Sequence, residues 1–221
     1  MSGFFLVVEG PEGAGKTTLA AALVARLRAA GHDVVAVREP GGTPAAEAVR
    51  RALLDRENVF APHTELLYVT AARAHLVQDV IGPALAAGRV VVADRYDLST
   101  EAYQGAGRGL PLDQVHAVNA VATQGLRPDL TLVLDLPPGV GHARQVAAGK
   151  DQDRLDRESP EFHARVGAHY LAARGPGVRH LDATRPPAAL LEAAWAAVQE
   201  ALAARTRDRT AEPETFRPVA G

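Results

Sequence analysis

A chain of 221 residues with a formal net charge of -2 has no basic excess to draw it to nucleic acid or an anionic membrane, so any cationic site must be local. Zero cysteines exclude a disulfide framework and thiolate chemistry, while 47% hydrophobic residues over this length suit one domain with a sizeable core. The opening MSGFFLVVEG has neither a basic start nor a small-residue cleavage site, and no stretch nears the ~18 apolar residues of a membrane span, so a cytoplasmic location is expected.

Phe4 to Glu9, FFLVVE, reads as a first strand. The loop after it, EGPEGAGKTT, satisfies G-x-x-x-x-G-K-[ST] through Gly10, Gly15, Lys16 and Thr17, between a strand and a helix, which is the setting the motif requires. Main-chain N–H groups of such a loop, those of Glu12, Gly13 and Ala14 among them, cradle phosphates. Lys16 offers a point charge and Thr17 a hydroxyl to Mg²⁺. Lys16 and Lys150 are the only lysines, so the position of Lys16 is informative. Thr18 either reaches a phosphate or continues the helix, which Gly31 closes.

A second strand, Val34 to Glu39, runs into REPGGT, where Pro40 pushes Glu39 into an extended conformation. Gly41-Gly42 there either admits a ligand close to the backbone or makes a plain turn. A helical pattern from about Thr64 to Ala87 is disturbed by Gly82-Pro83 and ended by Gly88. On its wheel Arg73 falls within about 20° of Leu66 and Val80, in the apolar stripe. A guanidinium there needs a partner, either a ligand oxygen or an internal acid. The third strand, Arg89 to Asp94, ends in DRY, at the sheet edge where α/β folds bind ligands. Asp94 is placed to hold Mg²⁺ through water and Arg95 to fork onto a phosphate, with a structural ion pair as the alternative. Leu98 to Gly109 brings hydroxyls, an aromatic and an amide to the same edge, as a pocket wall or as a flexible loop.

The fourth strand, Leu130 to Asp135, is followed by LPPG, which favours helix entry over a metal role for Asp135, while Glu9 suits a metal shell or a structural arginine. ARQVAAGKDQDRLDRES interleaves Arg144, Lys150, Arg154 and Arg157 with Asp151, Asp153 and Asp156, as a solvated helix or a cationic lid. A fifth strand is read at Val178 to Leu181, and the polar stretch from Arg205 reads as a frayed tail. Neither lysine follows an asparagine, so the guanine reader of GTPases is missing. Eight histidines show no metal-cage spacing. The alternation of buried strands and helices implies an α/β fold with a five-stranded parallel sheet flanked by helices.

EGPEGAGKTT, REPGGT, AAR, DRYDLSTEAYQGAGRG, RPDLTLVLDL, DRLDRES and LDATRPPAAL occur in this order and together resemble the thymidylate kinase family, to about Arg205. The resemblance implies a P-loop nucleoside monophosphate kinase fold over residues 1–205, with a lid at about 144–158 and a flexible tail over 206–221. It also implies ATP with Mg²⁺, a dTMP acceptor, a homodimer, and neither nucleic-acid nor membrane partners. Glu12 would turn from the ATP phosphates to the acceptor's 3'-hydroxyl. Arg73 would bind the thymine carbonyl, Arg95 the dTMP phosphate and Tyr103 the sugar's underside, while Thr100 and Gln104 border the base. Arg38, Pro40 and their loop would shape the acceptor side. Val69 stands where the family usually has a stacking phenylalanine. Gly13 and Ala14 offer no arginine, so the lid must supply a catalytic cation, assigned to Arg154. ATRP would flank adenine. The alternatives are a kinase for another nucleoside monophosphate and a P-loop ATPase switch.

Overall fold

Continuous β-branched runs have no polar face to turn to water, so they pair side by side beneath helices on both faces. The computed structural model, which describes residues 3–149 and 151–211, has that arrangement. Strands β1 (Phe4–Glu9), β2 (Val34–Arg38), β3 (Val90–Asp94), β4 (Leu130–Asp135) and β5 (Val178–Asp182) form one parallel sheet in the order β2-β3-β1-β4-β5. Alternation along β1 divides the core. Leu6 and Val8 pack with Leu23 and Leu27 of α1 (Lys16–Ala29) and Ala194 of α9 (Pro187–Ala211). Phe5 and Val7 face the opposite side and pack with Leu76, Ile81 and Leu85. Each fully buried leucine of these layers contributes about 2 kcal/mol of transfer free energy. The layers also fix the register, which sets Val8 and Arg38 level with Asp94, so β1, β2 and β3 finish at one edge.

The helices around that edge have local causes. α2 (Pro44–Leu54) starts on Thr43, whose hydroxyl accepts from Ala46 N at 3.1 Å, with Pro44 in the first turn. α3 (Pro62–Leu76) does not break at Gly82-Pro83: it widens into a π turn over Val77–Ile81 and continues as α4 (Gly82–Ala86). Proline lacks an N–H and its ring presses on the carbonyl one turn back, and the wider turn absorbs both. A second π turn, Glu101–Gly107, follows α5 (Asp97–Thr100), so the Leu98 to Gly109 segment is helical rather than a flexible loop. Its glycines admit close packing, since a Cβ on Gly107 would lie 2.5 Å from the Phe162 ring.

α6 (Leu112–Thr123), α7 (Val140–Ala147) and α8 (Pro160–Ala172) complete the layers. The expectation of a frayed tail from Arg205 is corrected: α9 runs to Ala211, Leu202 packs on the core, and Arg205 pairs with Asp129. Residues 212–221 and Lys150 lie outside the described residues. Among the described residues no helix is long and apolar enough to cross a membrane.

Candidate active site

The carboxyl ends of β1, β2 and β3 open into a cleft of ≈ 450 Å³. Gly13, Gly15, Lys16, Thr17 and Thr18 line one part of it. Arg38, Pro40, Val69, Thr100, Tyr103 and Gln104 line another, and Glu12, Asp94 and Arg95 join the two. Gly10 and Ala14 lie behind this surface, where a Cβ on Gly10 would sit 2.8 Å from the Leu134 carbonyl. Gly15, at φ 92, turns the chain so that α1 begins with its free N–H groups at the cleft. Gly13 meets Gly141 of α7 so closely that a Cβ on it would lie 2.2 Å from the Gly141 carbonyl oxygen.

Lys16 is buried in this loop and Nζ donates to the Pro11 carbonyl at 2.7 Å. Burial first, and then the Arg95 charge, lower its pKa to about 8. Thr17 Oγ1 donates to Asp94 Oδ2 at 2.6 Å. A hydroxyl and a carboxylate at the cleft are hard oxygen donors, and the pair fits Mg²⁺, which takes few protein ligands and fills its shell with water and phosphate oxygens.

Glu12 does not point to the surface. Its Oε1 bonds Arg95 Nη2 and accepts from Tyr103 OH at 3.1 Å. Arg95 also donates to Gly10 O at 3.2 Å, Ser99 Oγ at 3.2 Å and Tyr170 OH at 3.1 Å, from a backbone at φ 76. A left-handed arginine at the end of a core strand is the kind of local strain that collects at functional sites. Glu9, fully buried, accepts from Tyr96 N at 2.7 Å, Ser99 Oγ at 2.7 Å and Tyr170 OH at 3.1 Å. It anchors the segment after Arg95 rather than a metal, and burial, opposed by Arg95, raises its pKa. Asp135 takes neither expected role, because its Oδ1 faces His180 Nδ1 at 2.8 Å.

Two further expectations change. Arg73 is 1% exposed, and its guanidinium donates four hydrogen bonds to protein groups and forms an ion pair with Glu39. Nε and Nη2 meet Glu39 Oε2 at 2.7 and 2.6 Å, Nη1 meets Thr100 Oγ1 at 2.8 Å and Asn119 Oδ1 at 2.6 Å, and Nη2 meets Tyr96 O at 2.8 Å. As the side chains stand, it braces the wall behind Thr100 and does not itself line the cleft. Arg154, assigned as the catalytic cation, lies against α2 and α3 instead: Nε donates to Leu53 O at 2.8 Å and Nη2 to Glu65 Oε2 at 2.7 Å, with Phe60 under its guanidinium. Arg144 is the arginine at the phosphate loop, donating to Gly13 O at 3.4 Å and Ala183 O at 3.0 Å.

Arg50 and Glu65 line the cleft and escaped the sequence reading. Arg50 donates to Pro40 O at 2.9 Å. It falls four residues after Ala46 and three before Leu53, the buried face of α2, which is the signal that singled out Arg73. Glu65 falls four residues before Val69 on the same principle.

The sequence matches the thymidylate kinase family profile over residues 8–193. The chain belongs to the thymidylate kinase family. A thymidylate kinase of Thermomicrobium roseum is 51% identical over 90% of this chain and 96% of its own, and one of Deinococcus radiodurans is 49% identical over 90% and 97%. One of Synechococcus is 48% identical over 93% and 98%. Within this family the chain's departure at Val69 has no local substitute: Tyr103 is the only aromatic among the described residues lining the cleft, and Tyr68 is turned to Phe60, ring centroids 5.0 Å apart.

Proposed function

We propose that the cleft holds ATP and dTMP end to end and passes the γ-phosphoryl directly between them, giving dTDP and ADP. Membership of the thymidylate kinase family makes the chain an ATP-dependent nucleoside monophosphate kinase that phosphorylates dTMP. The observation that carries the division of roles is the Glu12–Arg95 pair, which joins a phosphate-binding loop to a second, differently lined half of the cleft. Loop amides and Lys16 hold the donor phosphates, with Arg144 beside them. Arg95 takes the acceptor phosphate, Glu12 accepts from the sugar 3'-hydroxyl, and Tyr103 supports the sugar. Thr100, Gln104 and Val69 border the base, and Arg38, Pro40 and Arg50 close the acceptor's phosphate side. Positioning and charge neutralisation suffice for phosphoryl transfer, so no covalent intermediate is needed.

Thr17 and Asp94 would hold Mg²⁺, which when bound would neutralise charge on the donor's phosphates. Lys16 must be protonated to serve the donor. kcat/KM for ATP, which reports the free enzyme, is therefore expected to fall tenfold per pH unit above about 8 and to be insensitive to this group below. A profile that stays level into the ordinary lysine range would count against Lys16 as the phosphate cation.

The resemblance also supports a homodimer: α3 and α6 pack together and leave Leu67 and Val121 exposed, and light scattering at twice 23.2 kDa is the expected result. The cysteine-free sequence supports a cytoplasmic site of action. ADP formation from ATP and Mg²⁺, measured with dTMP, dUMP, dCMP, AMP and CMP in parallel, tests the whole reading. dTMP is expected to exceed dCMP, AMP and CMP by at least about a hundredfold. ATP consumption that dTMP does not accelerate would overturn it.

A further inference from the structure

α3 turns Glu65, Val69 and Arg73, each four residues from the last, along one stripe. Glu65 is 0% exposed. Oε1 accepts from Gln104 Nε2 at 2.8 Å and Arg108 Nε at 3.1 Å. Oε2 accepts from Arg108 Nη2 at 2.9 Å and Arg154 Nη2 at 2.7 Å. Glu158 bonds Arg108 at 2.6 Å, so two acids balance two arginines. Burial pulls the Glu65 carboxyl upward, but the hydrogen bonds from Arg108, Gln104 and Arg154 prevail and hold it below the usual carboxylate range.

An ionised carboxylate can only accept, and this restricts its neighbour. The amide of Gln104 has to face Glu65 with its NH₂, because turning its oxygen there would bury two acceptors against each other. Which end of a glutamine amide is nitrogen is ordinarily settled only by its hydrogen bonds, and here an acid settles it. The carbonyl is then left for the other side. Gln104 lines the cleft with Thr100 and Val69, and its Oε1 accepts from no described residue and is not among the buried oxygens lacking a partner.

We propose that Glu65 is a positioning residue that locks the Gln104 amide with its oxygen toward the cleft, so that the acceptor site takes a pyrimidine with an N3–H donor and rejects one whose N3 is a lone pair. This rests on the dTMP reading and adds its basis for discrimination. Thymine and uracil offer N3–H to that oxygen. Cytosine sets an acceptor against an acceptor, a mismatch that sites built around a hydrogen bond reject strongly. An amide free to rotate would offer cytosine its NH₂ and lose the distinction.

The test compares kcat/KM for dTMP and dCMP in the wild type and in Glu65→Gln, whose neutral amide tolerates either orientation of Gln104. The dTMP-to-dCMP ratio is expected to fall at least about tenfold, one hydrogen bond's discrimination, with turnover of dCMP rising and KM for ATP little changed. A ratio that stays constant while both substrates decline in parallel overturns the proposal and leaves Glu65 a structural residue. Should Glu65→Gln not fold, Glu65→Asp keeps the buried anion for Arg108 and Arg154 while withdrawing it one methylene from the amide, and carries the same two outcomes. A wild type that phosphorylates no pyrimidine nucleotide sinks the dTMP reading itself, which is a different result from an unchanged ratio.

Discussion

Replacing Lys16 by methionine is expected to lower kcat by about a thousandfold while leaving KM for dTMP within a few-fold of the wild type. The loop that holds the donor places one mobile cation among fixed amide dipoles, and only the cation follows charge as it shifts between the phosphoryl group and its neighbours. Loss of one such group from a preorganised site typically costs about 10² to 10³ in rate. Thermal stability separates this from a folding defect. Burial lowers the pKa of Lys16 to about 8, so the folded state carries this charge at a penalty. An apolar chain of similar length relieves that penalty, and Tm is expected to stay level or rise. A Tm that falls along with kcat would mean that the lysine mainly holds the loop together.

Arg95→Lys is expected to show the opposite pattern: kcat/KM for dTMP lower by about a thousandfold, KM for ATP within a few-fold, and Tm lower by several degrees. The guanidinium spans Glu12, Gly10 O, Ser99, Tyr103 and Tyr170 at once. An ammonium keeps the charge, but its three N–H groups leave the end of one chain and cannot reach that spread. Buried acceptors left unmade cost about 1–3 kcal/mol each, which is where the lost stability comes from. Without the fork Glu12 also loses its orientation, and two of the acceptor's anchors fail together. Equal rises in KM for both nucleotides would show that Arg95 does not belong to the acceptor half.

The sheet was legible because its strands are buried on both faces and so read as unbroken apolar runs, and the phosphate loop because its glycines and lysine sit at fixed offsets. What required the structure was pairing at a distance. Nothing near Asp135 announces His180, which reaches it from the neighbouring strand. The segment around Arg154 matches its cations with as many acids, and nothing in it shows that Glu65, 89 residues earlier, receives Arg154. Arg73 was correctly placed on a buried face, yet one wheel cannot say whether an acid or a nucleotide meets it there. Arg50 carries the same helical signal more weakly, because its stripe is short and rests on Ala46 and Leu53. Both π turns were invisible, since a widened turn answers to packing and to proline rather than to periodicity.

Gly13 and Gly141 touch backbone to backbone, which seals one route of redesign. An engineer wishing to move the arginine beside the donor phosphates from α7 into the loop would begin by writing arginine at position 13. The first carbon of any side chain there would already overlap the neighbouring helix. The joint would have to be prised open before the new residue could be seated, and Arg144, whose guanidinium spans that same seam, would be displaced in the process.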